Sequence, residues 1–90
     1  MSEARTIVFA PEAAKEFDAL DWAVRRRVEK ALDLLAADPL ALRNQIKRLK
    51  GDSAMRLRVG DWRVIFDLQR PGEIVVFAIA HRSEVYRSEN

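Results

Sequence analysis

Arg56, Arg58 and Arg63 are spaced so that one short stretch, MRLRVGDWRVIF (residues 55–66), presents three guanidinium groups together. Guanidinium carries a permanent charge and a planar fork of N–H donors that matches phosphate oxygens, so such a cluster suits gripping a polyanion. Further along stand Arg82, Tyr86 and the chain's one histidine, His81. These residue types could neutralise a phosphate, orient a base and move a proton. His81 is the side chain whose ordinary pKa lies nearest neutrality, which makes it a natural acid or base.

The stretch that carries the three arginines reads as a β-hairpin. Met55, Leu57 and Val59 alternate with Arg56 and Arg58, and Trp62, Val64 and Phe66 alternate with Arg63 and Ile65. Gly60-Asp61 fits a two-residue type II′ turn, which needs positive φ at its first central residue. That turn pairs Val59 with Trp62, Arg58 with Arg63, Leu57 with Val64, Arg56 with Ile65 and Met55 with Phe66. Opposed residues share a sheet face. One face is then apolar and belongs to a core, and the other gathers the arginines. Opposing Arg58 to Arg63 costs a few tenths of a kcal/mol or more, which leaves two readings: a solvated basic face with an acidic neighbour, or a face that waits for a polyanion.

Composition bounds the rest. The 90 residues suffice for one domain, expected over 1–90, and about half of them are apolar. No apolar run approaches the roughly 20 residues that span a bilayer, and the N-terminal segment lacks the pattern of a secretory signal. A cytoplasmic protein is expected. The absence of cysteine excludes disulfides, zinc–thiolate sites and thiol nucleophiles. With one histidine and no ligand-spaced cluster, neither a metal centre nor another cofactor is expected. The net charge of +2 is unevenly placed: residues 1–42 carry −2, residues 43–63 carry +5 and residues 64–90 carry −1. A basic segment of this kind is the footprint of a nucleic-acid contact.

The elements that must position the hairpin follow in order. RTIVFA (5–10) is β-branched and aromatic and predicts a first strand. Pro11 and Glu12 open a short helix over 11–20, with Ala14, Phe17 and Leu20 at helical spacing. Asp21 is placed to cap a longer helix to Ala37 whose stripe is Val24, Val28, Ala31, Leu32 and Leu35; Asp38-Pro39 ends it. Residues 39–53 read as an irregular connector with Ile46 and Leu49 inward and Lys47, Arg48 and Lys50 outward. After Phe66 a Pro71-Gly72 turn leads to a strand over 74–80. Taking Val75, Phe77 and Ile79 as its core side, because they are the bulkier set, opposes Phe66 to Phe77, Val64 to Ile79 and Arg63 to Ala80. The arginine face then continues over Ala78 and Ala80 to Arg82 and, with the strand extended, to Tyr86. The expected class is α+β: a strand, a two-helix antiparallel hairpin and a three-stranded antiparallel meander, with the helices on one sheet face.

With these pieces in place the chain resembles the RelE family of the RelE/ParE toxin superfamily. The matching pieces run in order over nearly the whole length: FAPEAAKEFDAL, VRRRVEKALDLLAADP, RLKG, MRLRVGDWRVIF and HRSEVYR, the last two being the specific ones. The resemblance implies a toxin held in a hetero-oligomer by a cognate antitoxin. It also implies an endoribonuclease that cuts mRNA in the ribosomal A site without a metal. The 2′-OH attacks the adjacent phosphate and leaves a 2′,3′-cyclic phosphate and a 5′-OH. By the same resemblance Arg56 and Arg63 match basic positions of the catalytic face, and Arg82 and Tyr86 match the C-terminal Arg and Tyr. Lys47, Arg48, Lys50 and Arg58 are then candidate RNA contacts. Arg25, Arg26 and Arg27 have two readings, a solvated helix face paired with Glu29 and Asp33 or an aid in holding RNA at the rim.

Tyr86 could stack on a base, orient it or take a proton, or it could be a packing residue near the chain end. Strict alternation sets His81 opposite Trp62 on the core side, so acid/base and structural roles both stay open for it. Ala54 and Met55 flank Arg56 where some relatives are lysine-rich, which leaves the general base unassigned. Two other functions fit the same fold: a ParE-like inhibitor of DNA gyrase, and a non-catalytic module that binds RNA or a protein partner.

Overall fold

A computed structural model describes residues 4–51 and 53–84. Its strands are β1 (Thr6–Phe9), β2 (Ile46–Arg48), β3 (Met55–Val59), β4 (Trp62–Asp67) and β5 (Glu73–His81). They form one sheet in the order β1-β5-β4-β3-β2, with β1 parallel to β5 and every other pair antiparallel. Two helices, α1 (Pro11–Asp18) and α2 (Trp22–Ala37), lie between β1 and β2 in sequence. α1 rests on β5 and β1, and α2 on β3 and β1, so the two helices cover one sheet face and, among the described residues, leave the other open.

The helices follow the predicted chemistry with one difference. Pro11 starts α1, where its missing N–H costs nothing, and Glu12 sits in the positively polarised first turn. Asp21 occupies the N-cap position of α2, but its side chain makes no capping hydrogen bond. Burial of the α2 stripe against the sheet therefore does the holding: Val28, Leu32 and Leu35 are buried, and Val24 and Ala31 pack at its margin.

The β3–β4 hairpin has the register read from its turn, from Met55–Phe66 to Val59–Trp62. Gly60 has φ of 61° and no described non-glycine residue has positive φ, so only the first central position is left-handed, as type II′ requires. Leu57, Val59, Val64 and Phe66 point into the core with Val28, Leu32 and Leu35.

β5 departs from the expected register. Val64–Ile79, Arg63–Ala80 and Trp62–His81 pair as expected, but the ladder slips between Ile65 and Phe66, so Phe66 faces Val76. Phe77 is the extra residue of this bulge. Beyond it the alternation of β5 is inverted: Ile74 and Val76 are buried, while Phe77 is 41% exposed. Choosing the bulkier set assumes unbroken alternation, and one inserted residue defeats that assumption.

Two further features lie beyond the reach of sequence periodicity. Ile46–Arg48 is a strand rather than part of an irregular connector, preceded by a 3₁₀ segment, Pro39–Gln45. β5 also runs past the end of β1. The last backbone bond between the two is from the Ala10 N–H to the Val76 carbonyl, and the Ile79 N–H is instead accepted by Glu16 Oε1 at 2.9 Å. Glu16 thus replaces a missing strand for one rung of the ladder. Glu16→Ala should lower the unfolding free energy by about 1–2 kcal/mol, since it strands a part-buried donor that had a charged acceptor. Urea denaturation should show a lower midpoint at an unchanged slope.

Candidate nucleic-acid interface

Alternation, interrupted once by the β5 bulge, decides which side chains reach the open sheet face. In β3 these are Arg56 and Arg58, preceded by Ala54; in β4 they are Arg63, Ile65 and Asp67; in β5, Ala78 and Ala80, joined by Phe77 at the bulge. β2 adds Lys47, whose backbone pairs with Arg56. Lys47, Arg56, Arg58 and Arg63 line one cleft of about 210 Å³, closed at its edge by Asn44, Gln45 and Ile46. Four cations from three strands therefore meet on one surface, and Ala78 and Ala80 leave the neighbouring strand low enough for a ligand to approach.

Arg58 and Arg63 are directly opposed, and the cost of that pairing is offset locally. Arg63 Nη1 donates to the carbonyls of Gly60 (2.9 Å) and Trp62 (3.0 Å), so the hairpin turn steers its guanidinium. Nη1 is thereby committed, and the remaining N–H groups of Arg63 have no partner among the described residues. A fixed guanidinium with donors to spare is suited to binding an oxyanion.

The other sequence candidates are distributed unevenly. Arg48 faces away from Lys47 and lies beside Met55, Leu68 and Gln69, because β2 alternates where a connector was expected. Lys50 is exposed beyond β2 and does not line the cleft. β5 ends at His81 and residues 82–84 are helical, so extension does not carry the arginine face to Arg82. Arg82 is outside the cleft lining. Its amide donates to the Asp61 carbonyl (2.8 Å), and its guanidinium is 3.9 Å from the Asp61 carboxylate, at the turn that also holds Arg63. Tyr86 lies outside the described residues. His81 stands edge-on to Trp62 with ring centroids 5.4 Å apart, and its Nδ1 is 3.1 Å from Ser83 Oγ. It shares the Trp62 face and is turned from the arginines.

The α2 arginines have three different surroundings, and none of these is the expected pairing with Glu29 and Asp33. Arg25 donates to the Asp18 carbonyl (2.9 Å) and covers Phe17, and Arg26 lies over the exposed Trp22 ring at 5.2 Å. Arg27 lies against Gly60, where an added Cβ would stand 2.6 Å from its Nη2. Sequence reading misses Asn44, Gln45 and Ile46 as cleft residues, because neither the end of a 3₁₀ segment nor a three-residue strand is long enough for periodicity to reveal. Among the described residues no set of three His, Cys, Asp or Glu side chains could hold a metal ion, and no helix is long and apolar enough to cross a membrane.

Comparison with known proteins places this architecture. The chain is similar in structure to a chain of the archaeal RelE–RelB complex from Pyrococcus horikoshii OT3 (TM-score 0.73, 23% identity, 88% of this chain and 96% of that one). It is similar to a chain of the toxin–antitoxin complex RelBE2 from Mycobacterium tuberculosis (TM-score 0.75, 18% identity, 92% and 97%). It is also similar to the isolated E. coli RelE toxin (TM-score 0.73, 22% identity, 96% and 95%). A direct search among curated proteins gives no match. These likenesses establish the fold. The profile of the family described as "ParE toxin of type II toxin-antitoxin system, parDE" matches residues 7–86. With nearly the whole chain matched, this protein belongs to the ParE toxin family and is a type II toxin–antitoxin toxin of the RelE/ParE superfamily.

Proposed function

We propose that the chain is a ribosome-dependent mRNA endoribonuclease that cleaves by 2′-OH transesterification and is restrained by a cognate antitoxin. The observation that carries this reading is the convergence of Lys47, Arg56, Arg58 and Arg63 on one cleft of the open face. In the reaction the 2′-oxygen bonds to phosphorus, the P–O5′ bond breaks, the 2′ proton departs and the 5′ oxygen gains one. Negative charge grows on the non-bridging oxygens as the five-coordinate phosphorus forms. Guanidinium groups already in place stabilise that charge more than the ground state, which lowers the barrier.

No carboxylate or imidazole lines the cleft among the described residues. Lys47 is the lining cation that can also exchange a proton, since arginine stays charged. His81 acts structurally, through Trp62. Arg82, anchored at the Arg63 turn, adds positive charge at the rim, and Tyr86 orients the nucleotide or exchanges a proton. The antitoxin reading draws on the family and on the RelE–RelB complexes the fold resembles.

The family's own description supports a second reading, a ParE-like inhibitor of DNA gyrase that catalyses nothing. A reconstituted translation reaction separates the two. The nuclease reading expects new 5′ ends within codons, and only when ribosomes are engaged. Intact mRNA alongside trapped gyrase–DNA breaks would overturn it in favour of the second.

A further inference from the structure

The open face does not end at the cationic cleft. Beyond the Arg56–Ile65 pair lies a second trough of about 330 Å³, lined by Leu49, Ala54, Ile65, Asp67 and Phe77. Its make-up is unlike that of the cleft. Three lining side chains are apolar and large, and Phe77 is exposed because the β5 bulge turns it out of the core. Asp67 is the one charged residue among those buried in the described structure, at 8% exposure. Its carboxylate accepts a single long hydrogen bond among the described residues, 3.4 Å from the Gln69 amide. Neither carboxylate oxygen is a buried atom without a partner, so the oxygen not bonded to Gln69 stays accessible where Asp67 lines the trough, and a donor or cation there can reach it.

We infer that this trough receives a segment of the antitoxin in which a Lys or Arg pairs with Asp67 and apolar side chains cover Ile65 and Phe77. In the same segment an acidic residue turns back to the cationic cleft. The inference rests on the toxin reading above and adds to it the chemistry and polarity of the partner. Charge complementarity selects the occupant. RNA would bring phosphates towards a buried carboxylate, whereas a peptide can supply a cation at one end and a carboxylate at the other. Strand geometry sets the spacing. Along β4, Asp67 is two residues from Ile65, the residue opposite Arg56, and four from Arg63, or about 7 and 13 Å at the rise of an extended chain. The two opposite charges of the partner are then two to four residues apart if it is extended. In a helix, at about 1.5 Å per residue, the same distances correspond to five to nine.

The test uses the toxin and the protein encoded by the adjacent reading frame, titrated calorimetrically. Asp67→Asn keeps the shape and removes the charge, and Phe77→Ser changes an exposed side chain, so neither should unfold the domain. Each should weaken binding about 30-fold or more. Both free variants should cleave mRNA within twofold of the original chain. One Lys or Arg of the partner should lose its effect on binding when replaced in the Asp67→Asn background. Undiminished binding by both variants overturns the trough as a docking site while leaving the toxin reading standing. Changed cleavage with unchanged binding assigns the trough to RNA and likewise overturns the inference. No binding of the adjacent product to the original chain removes the antitoxin reading, and this inference with it.

Discussion

Arg63→Ala should slow mRNA cleavage by about 100- to 1,000-fold and leave the protein folded. The magnitude is that of removing one preorganised donor from a site where negative charge develops. Arg63 is set in the cleft through two hydrogen bonds from Nη1 to the carbonyls of its own turn. Its loss removes both a charge and a fixed geometry. It should leave the fold intact, because the Gly60 contact is exposed and the Trp62 contact only part-buried at the hairpin tip. Arg48→Ala is the matched control. It removes an arginine from the same basic segment but from the opposite side of β2, and should change cleavage less than threefold. Timed primer extension on a translating message gives both rates, and urea denaturation verifies the folds. Arg82→Ala belongs in the same series. Its exposed contact with Asp61 contributes little to stability, so any loss of cleavage reports a role at the rim.

Phe66→Ala should destabilise the domain by about 3–5 kcal/mol, a large share of the roughly 5–13 kcal/mol expected for 90 residues. Phe66 is fully buried at the centre of the core. It also stands where the ladder slips, facing Val76 next to the unpaired Phe77. Removing the ring opens a cavity at the point that inverts the alternation of β5, with little room for neighbouring side chains to collapse. The expected outcome is a sharply lower denaturation midpoint. A loss under about 1 kcal/mol would mean that the bulge can be repacked without it.

The parts of this protein that are legible in its sequence are those governed by local rules. The β3–β4 hairpin is readable because a glycine turn fixes register and register fixes faces, so three arginines can be assigned to one surface. The α2 stripe is readable because its burial repeats at helical period. What stays hidden depends on single residues or distant partners. The Phe77 bulge is one insertion that inverts the side chains of β5 that precede it, and strand periodicity carries no mark of it. β2 is three residues long and exists because β3 offers it an edge. The direction of Arg48 escapes prediction for that reason, since it is set by the pairing with Met55, which no local pattern announces. Arg82 is expected to continue the strand, but the chain turns helical after His81 and ties Arg82 to Asp61. Asp67 is one acid among fourteen in the sequence, and only its burial distinguishes it.

If the cleft supplies charge while the RNA supplies its own nucleophile, the 2′-OH beside the scissile phosphate is indispensable. A message with a single 2′-deoxynucleotide on the 5′ side of the mapped cleavage position, translated in the presence of the toxin, tests this most directly. Cleavage at that phosphate should disappear while neighbouring susceptible codons are still cut, and the unmodified message should end in a 2′,3′-cyclic phosphate. Undiminished cleavage at the deoxy position would mean that water attacks instead, and would contradict a mechanism in which the open-face cations stabilise attack by the RNA's own hydroxyl.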